Sequence, residues 1–332
     1  MDAVAYALAS GIPATYDAPN SWGAKTSLPT NRHDAGFSTL NDGTVLLTGG
    51  FSNYVASNLV TSYSPVTDSW TAKTVYPVSV VQHGQSTLAD GTVLVTGGRW
   101  QDELAGGGYA VRYCRLYDPV ANSWTTASNL PRTIFNHAQS TLADGTVLTT
   151  GGNYIDGSTA SVSEVKSYDP STNAWTAKAN VPTTNRSQHA QSTLDDGTVL
   201  VTAGFLNTTQ TNNVQSYNPA TNTWTAKTAL PTNGRYAHSQ STLGDGTALV
   251  VAGRVGNTYP NDAWSYDRVT DTWLAKSNYP VSSTWHLNQT TLADGTALVA
   301  GSYGKKNVQQ YDPGGTLPTP GRAALSGYLA AN

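Results

Sequence analysis

The residues of this chain best suited to chemistry are its six histidines, which all lie just before or at the start of a recurring H-A-Q-S-T-L segment. Four of them share one register: His83, His137, His189 and His238. His33 and His286 are displaced from that register by two residues and one. A ring of imidazoles could bind a metal ion, but no carboxylates follow the same pattern, and metal sites usually combine the two. We therefore predict no metal and no cofactor.

Carboxylates that could act as acids or bases are scarce once the repeated ones are set aside. Of nineteen aspartates, six occupy D-G-T tripeptides, five follow a tyrosine and two precede a tryptophan at matching positions of a repeat. Eight acidic residues remain: Asp2, Asp34, Asp102, Asp156, Asp195, Asp262, Glu103 and Glu164. Acid–base catalysis on sugars usually needs a pair of carboxylates, so this scarcity disfavours an enzyme and leaves the catalytic set empty.

Aromatic side chains outside the repeat favour a binding surface. They include five rings in or beside loops expected on one face: Trp100, Tyr109, Tyr154, Tyr236 and Trp285. Rings flanked by Asn, Gln and Arg provide flat apolar area and orienting polar groups, as a sugar- or protein-binding surface requires. The longest of these loops ends at Tyr109 and holds Asp102 and Glu103, so we expect it to carry specificity. Trp264 stands where other repeats have polar residues, which predicts an exposed contact.

The elements that position these side chains come from an internal repeat. A segment close to H-A-Q-S-T-L-x-D-G-T-x-L-V-T-G-G, followed by Y-D-P-x-T-N-x-W, recurs along the chain. Its tryptophans are 48 to 54 residues apart: Trp22, Trp70, Trp124, Trp175, Trp224 and Trp273. Alternating side chains, an Asp-Gly turn and a β-branched strand ending at Gly49-Gly50 predict antiparallel strands. Repeats of this length predict an all-β, six-bladed β-propeller with four strands per blade.

The two ends of the chain are predicted to share one blade. The sixth repeat reaches its third strand at Tyr311 but has no fourth strand, and the N-terminal segment through Trp22 can supply it. A second Tyr-Asp pair at Tyr16 leaves open that the N-terminal segment contributes more. We predict an N-terminal extension over 1–14, one propeller over 15–313 and a C-terminal tail over 314–332.

The double glycine, the tyrosine and the tryptophan seven residues after it resemble the kelch repeat, over roughly residues 15–313. The resemblance implies that the histidines form hydrogen bonds between adjacent blades. It also implies that arginines near the channel mouth contact acidic ligands, which makes an anion-binding rim of Arg32, Arg186 and Arg235 a second hypothesis. The alternative is solvent-facing charge or a hydrogen bond between blades. Later repeats depart mildly from the pattern, because alanine replaces the first glycine.

Two kelch-type enzymes remain alternatives. Copper oxidases similar to galactose oxidase need a Cys–Tyr pair, but Cys114 takes a position that valine or alanine occupies in the other repeats. We therefore expect Cys114 to be buried and inert. An enzyme similar to the sialic acid mutarotases would use the arginine rim, with Glu103 or Asp102 as acid–base groups.

Composition limits the partners. Charged residues are 12% of the chain and the formal net charge is −3, so there is no basic footprint for nucleic acid or an anionic membrane. We expect no membrane insertion and no signal peptide, since long apolar stretches and a basic N-terminal region are missing.

These observations predict a non-enzymatic recognition module that presents an aromatic, Asn- and Arg-containing loop face to a glycan or protein partner. The composition suggests a microbial or viral protein in an extracellular, cell-surface or virion setting. A structural role is a third alternative, with an oligomer or larger assembly formed through the termini or through Trp264.

Overall fold

The computed structural model describes residues 20–53, 55–101, 108–156, 158–183 and 185–314. Within these ranges the chain forms strands and turns only, so the predicted all-β class is confirmed. No helix in the described part is long and apolar enough to cross a membrane. The proposed extension over 1–14 and nearly all of the proposed tail lie outside the described residues, and the domain boundaries stay predictions.

Six antiparallel four-stranded sheets follow the sequence repeats in the described chain. Their strands, from the inner to the outer edge, have these bounds. Sheet 1 contains Gly36–Thr39, Val45–Thr48, Val60–Ser64 and Ser69–Lys73; sheet 2 contains Gly84–Thr87, Val93–Thr96, Cys114–Asp118 and Ser123–Ala127. Sheet 3 contains Ala138–Thr141, Val147–Thr150, Val165–Asp169 and Ala174–Lys178; sheet 4 contains Ala190–Thr193, Val199–Thr202, Val214–Asn218 and Thr223–Lys227. Sheet 5 contains Ser239–Thr242, Ala248–Val251, Ala263–Asp267 and Thr272–Lys276; sheet 6 contains Asn288–Thr291, Ala297–Ser302, Lys305–Asp312 and Ser21–Lys25.

The first two strands of each sheet are joined by the D-G-T turn. Asp42 Oδ1 accepts hydrogen bonds from the backbone N–H of Thr44 at 2.9 Å and from its hydroxyl at 2.7 Å. Gly43 has a φ of 81°, a conformation that glycine adopts without steric cost. The same pair of bonds recurs in the other five turns, which explains why the sequence repeats the tripeptide.

The core lies between neighbouring sheets. Second strands such as Val45–Thr48 and Val199–Thr202 are buried along their whole length. Inner strands of adjacent sheets are joined by glutamines that donate to the preceding sheet, as Gln139 donates to Ser86 Oγ and to the Leu94 carbonyl. Between sheets 6 and 1, the Thr39 hydroxyl donates to the Thr291 carbonyl at 2.6 Å.

The outer edge carries one clamp in every repeat. The Tyr117 hydroxyl donates to Asn122 Oδ1, which also accepts the Thr74 N–H, and the Trp124 indole donates to the Thr74 carbonyl. In sheet 6, Tyr311 takes the tyrosine role, while Asn20 and the Trp22 indole come from the other end of the chain. The segment Ser21–Lys25 pairs along Lys305–Asp312 and so forms the outer strand of this sheet.

The connections between second and third strands lie at the opposite end of the sheets from the D-G-T turns. Several form short hairpins: Phe51–Ser52 with Val55–Ala56, Arg99–Gln101 with Gly108–Ala110, Asn153–Asp156 with Ser158–Ser161, and Arg186–Ser187 with Phe205–Leu206 and Thr209–Gln210. We call these connections, together with the segments that lead into the first strands, the variable face. Its residues differ between repeats, whereas the D-G-T turns are nearly identical.

Candidate functional site

A pocket of about 170 Å³ lies at the centre of the variable face, lined by residues from all six repeats. Six of the lining residues hold equivalent positions in a left-handed conformation, with φ between 52° and 58°: Asp34, Gln82, Asn136, Gln188, Ala237 and His286. The backbone N–H of each later residue donates to the carbonyl of the one before it, from Gln82 with Asp34 to His286 with Ala237. The backbone around the pocket is therefore fixed, and the side chains give each repeat its own chemistry.

A side-chain contact joins the last of these positions to the first. Asp34 Oδ1 lies 2.5 Å from His286 Nδ1, and Asp34 Oδ2 lies 3.1 Å from His33 Nδ1. Burial alone raises the pKa of Asp34, but the two imidazoles more than offset it and hold that pKa well below its usual range. Asp34 is therefore ionised and accepts Nδ1–H from both rings, so the Nε2 atom of each ring is left for a partner other than Asp34.

Aromatic rings continue outward from this carboxylate. His33 stacks on Phe51 with ring centroids 5.1 Å apart and contacts Tyr303 at the same distance. Trp285 contacts Tyr303 at 5.4 Å and Tyr259 at 5.8 Å. We call this set the aromatic arc; its members are Phe51, Tyr303, Trp285, Tyr259, Tyr236 and Phe205.

Arg254 lies against the arc. Its guanidinium carbon is 5.3 Å from the ring centre of Trp285, 5.5 Å from that of Tyr259 and 5.7 Å from that of Tyr236. Attraction between the cation and the ring faces holds the side chain in place. The arc and Arg254 therefore form a preorganised surface beside the pocket, with Tyr259 and Tyr303 more than a third exposed.

The predicted aromatic residues are divided between two places. Trp285 and Tyr236 both lie in the arc, and Tyr236 is its buried member, packed against Phe205. Trp100 and Tyr109 form a separate exposed pair on the hairpin of repeat 2, with ring centroids 6.3 Å apart. Tyr154 is half-buried, and the guanidinium of Arg132 covers its ring. Asp102 and Glu103 lie outside the described residues.

The prediction that three arginines form an exposed, anion-binding rim is wrong, because all three side chains are buried. Arg32, Arg186 and Arg235 are at most 1% exposed. Arg186 donates to the carbonyls of Ala203 and Asn213 and to Asn213 Oδ1, while Arg32 donates to the carbonyls of Gly49 and Leu59. Burial lowers the pKa of Arg32 and of Arg186 to about 10, so both remain charged. Each of these side chains therefore links the carbonyl that follows a second strand to the carbonyl that precedes a third strand, and is buried where the prediction required exposure.

Arg235 makes the same kind of contact with a backbone carbonyl and, in addition, an ion pair with a carboxylate. It donates to the Ala252 carbonyl and to both oxygens of Asp262. Asp262 also accepts the indole N–H of Trp264 at 2.7 Å. Trp264 is thus half-buried and packed against the core between sheets 4 and 5, not the exposed contact that its position predicted.

Three of the four histidines in register form hydrogen bonds between neighbouring sheets, whereas both ring nitrogens of the fourth, His83, are buried without a hydrogen-bond partner among the described residues. Gln191 uses its amide N–H groups on Ser140 and Leu148, so its Oε1 accepts the Thr150 hydroxyl, and His189 Nε2–H donates to that hydroxyl oxygen at 2.8 Å. Thr96 with His137 and Thr202 with His238 repeat this arrangement. Among the described residues, no group of three or more His, Cys, Asp or Glu side chains is arranged to hold a metal ion.

Cys114 is fully buried beside Leu116 and Tyr168 in the core between sheets 2 and 3. Burial raises the pKa of its thiol to about 12. The residue therefore has the packing role that its repeat position indicates and lacks the thiolate needed for a nucleophile.

Sequence reasoning missed the centre of the site. Asp34 was one of several unassigned aspartates, and Arg254 was not singled out. The sequence nevertheless contained a signal for this site. Only two histidines are out of register: His33, which directly precedes Asp34, and His286, which holds the position equivalent to Asp34 in the last repeat.

Comparison with known proteins places this architecture. A family model described as the Kelch motif matches residues 188–231. Among solved structures, YjhT superposes with a TM-score of 0.73 at 15% sequence identity, covering 86% of this chain and 95% of YjhT. No curated protein matches the sequence. Residues 188–231 therefore match the Kelch motif, and the chain has the same overall fold as YjhT.

Proposed function

We propose that this protein is a recognition module that binds a glycan at the central pocket and the aromatic arc of the variable face. One observation carries the proposal: Asp34, His33, His286 and Trp285 depart from the repeat and lie together where the first and last repeats meet. Residues that recur in every repeat are explained by their role in the scaffold. Residues that differ from the repeat and cluster at a pocket are not explained in this way, which points to a role in binding. Aromatic faces beside hydrogen-bonding groups suit the apolar and hydroxyl-bearing sides of a sugar ring.

The proposal takes the six sheets as the blades of a closed six-bladed propeller. It is supported by the Thr39 hydrogen bond to Thr291 and by the packing of the inner strands of sheets 1 and 6. The clamp of Tyr311 on Asn20 supports closure at the outer edge. Closure is what brings Asp34 next to His286, so the site and the ring depend on each other.

A glycan array with the native protein tests the proposal, followed by saturation-transfer NMR on each sugar that is retained. We expect at least one sugar to bind. Trp285→Ala should weaken that binding roughly thirtyfold. Trp264→Phe, a change at a half-buried ring outside the pocket, should leave it unchanged. If no glycan on the array binds, the glycan-binding proposal is wrong, and the recognition hypothesis then requires a protein partner.

A sugar-active enzyme is the second candidate, and the contact of Asp34 with two imidazoles favours it. A carboxylate that fixes Nδ1–H leaves Nε2 free to take a proton from a bound hydroxyl. This pair replaces Asp102 and Glu103 as the acid–base candidates. The two functions are separated by measuring, with NMR, the rate at which the anomers of reducing sugars interconvert. A binding module leaves this rate unchanged. An enzyme increases it, and His286→Gln should abolish the increase.

A further inference from the structure

We propose that the central pocket selects an uncharged sugar ring over the corresponding sugar acid. The inference rests on the proposed glycan-binding function and concerns only which sugars the site accepts. It follows from the charge of the groups that line the pocket and from their capacity to donate and accept hydrogen bonds. It also follows from the hydrogen bonds that the nearby arginines already make within the protein.

Among the described residues that line the pocket, Asp34 is the only carboxylate, and there is no lysine or arginine. The other lining residues are four amides, three of them at equivalent positions, five imidazoles and small or apolar side chains. Asp34 is held in its ionised form by His286 and His33. A ligand carboxylate placed here would lose water and face a like charge, which is a common way for a site to reject a ligand.

The neutral groups suit hydroxyls. The amides of Gln82, Asn136 and Gln188 line the pocket, and each amide both donates and accepts. The Oε1 atom of Gln82 is buried and has no hydrogen-bond partner among the described residues. A sugar hydroxyl can donate to such an acceptor, or to His286 Nε2, and accept from a neighbouring amide through the same oxygen.

The arginines do not reverse this preference. Arg32, Arg186 and Arg235 are buried and donate to protein acceptors. Arg254 is half-buried and lies against the arc, outside the pocket lining. Its Nε donates to the Gly256 carbonyl and its Nη2 to Asn257 Oδ1. The cationic part of the surface is therefore beside the pocket and not in it.

Matched sugar pairs test the inference. Methyl glucoside against methyl glucuronide, and methyl galactoside against methyl galacturonide, differ only in whether C6 is an alcohol or a carboxylate. Their affinities are measured by calorimetry or NMR titration at pH 8, above the ordinary titration range of histidine. We expect the neutral member of any pair that binds to bind at least about tenfold more tightly, which corresponds to about 1.4 kcal/mol.

Two variants show whether charge is the cause. Asp34→Asn removes the carboxylate and should narrow the difference within a pair, whereas Asn136→Asp adds a second carboxylate and should widen it. Their melting temperatures establish that each variant is folded. A uronide that binds as tightly as its neutral partner overturns the inference while leaving glycan binding in place. Failure of every sugar on the array overturns the proposed function, and the inference with it.

Discussion

The Tyr311 hydroxyl donates a 2.9 Å hydrogen bond to Asn20 Oδ1 across a sequence separation of 291 residues. The equivalent tyrosine in every other repeat finds its partner five residues ahead, as Tyr217 does with Asn222. The tyrosine contact of the clamp is thus local in five repeats and long-range in sheet 6. There the interactions that order one repeat also hold the two ends of the chain together.

Removing the N-terminal half of this clamp should weaken the whole fold. Deleting residues 1–24 removes Asn20, Trp22 and most of the strand Ser21–Lys25. We expect one cooperative urea transition at a lower midpoint, because the deletion would remove the contacts that join sheet 6 to the N-terminal strand, on which the proposed closure depends. A biphasic transition, with most of the protein as stable as before, would contradict closure by this strand.

A single substitution gives a finer measurement. Trp22→Ala should lower the free energy of unfolding by about as much as Trp224→Ala, roughly 3 kcal/mol each, since both rings are half-buried and donate to the preceding sheet. A much smaller effect at Trp22 would show that sheet 6 does not rely on its borrowed strand.

Cys114 should resist modification in the folded protein. Its side chain is fully buried and burial raises its thiol pKa to about 12, so the thiolate population at pH 8 is negligible. A thiol reagent should react within minutes in 6–8 M urea and very slowly without it. Rapid labelling of the native state, or a mass that indicates a bond to tyrosine, would revive the copper-oxidase alternative.

Acid should destabilise the protein through the four histidines in register. Burial lowers the pKa of three of them to about 3 or 4 and holds that of the fourth well below its ordinary value: His83, His137, His238 and His189. Their Nδ1 atoms have no partner among the described residues, so a proton there would be buried without an acceptor. The unfolded chain binds protons near pH 6.5 and the folded chain does not, so stability is full above that pH and falls as pH decreases towards 4.

Each of these histidines should remove about 1 kcal/mol of stability between pH 7.5 and pH 5.5. Urea unfolding at several pH values measures the slope, and His137→Gln should make it shallower because it removes one of the four groups. Unfolding free energies that stay constant down to pH 5 would show that the histidines are not buried in the neutral form.

The buried arginines should matter for stability and not directly for binding. Arg235→Ala leaves Asp262 without its cation in a partly buried site and should cost about 3 kcal/mol or more. Arg254→Ala, at a more exposed arginine of the same repeat, should cost under about 1 kcal/mol. The opposite result, a stable Arg235→Ala protein that has lost its ligand, would restore the arginine-rim hypothesis.

Most of the scaffold could be predicted from sequence because each repeated residue makes the same contact in all six repeats. Asp42 caps its own turn and Trp70 donates to the adjacent sheet, and these contacts depend on nearby residues or on a fixed offset of one repeat. The burial of the arginines was also readable in principle. The position of Arg186 is held by Val80 and Ile134 in other repeats, and an apolar residue in an equivalent position indicates burial.

The candidate site was less accessible to sequence reasoning. Asp34 and His286 belong to the first and last repeats, and their contact exists only because the two ends of the sheet array meet. Charge and aromaticity along the chain indicated the face on which the pocket lies, but they also favoured the long loop with Trp100, which the structure places away from the pocket lining. Only the coordinates show that the exceptions to the repeat converge at the pocket.

The most direct test of the account compares one residue on each face. Trp285→Ala removes the ring between Tyr259 and Tyr303, whereas Val120→Ala trims a side chain that is 96% exposed at the opposite end of sheet 2. Affinity for the sugar identified on the array is measured for both, with Trp285→Phe as the variant that keeps a ring. We predict a loss of roughly thirtyfold for Trp285→Ala, about 2 kcal/mol, most of which Trp285→Phe restores, and no change for Val120→Ala. Normal binding by Trp285→Ala together with weakened binding by Val120→Ala would place the functional surface on the face of the D-G-T turns and contradict the account.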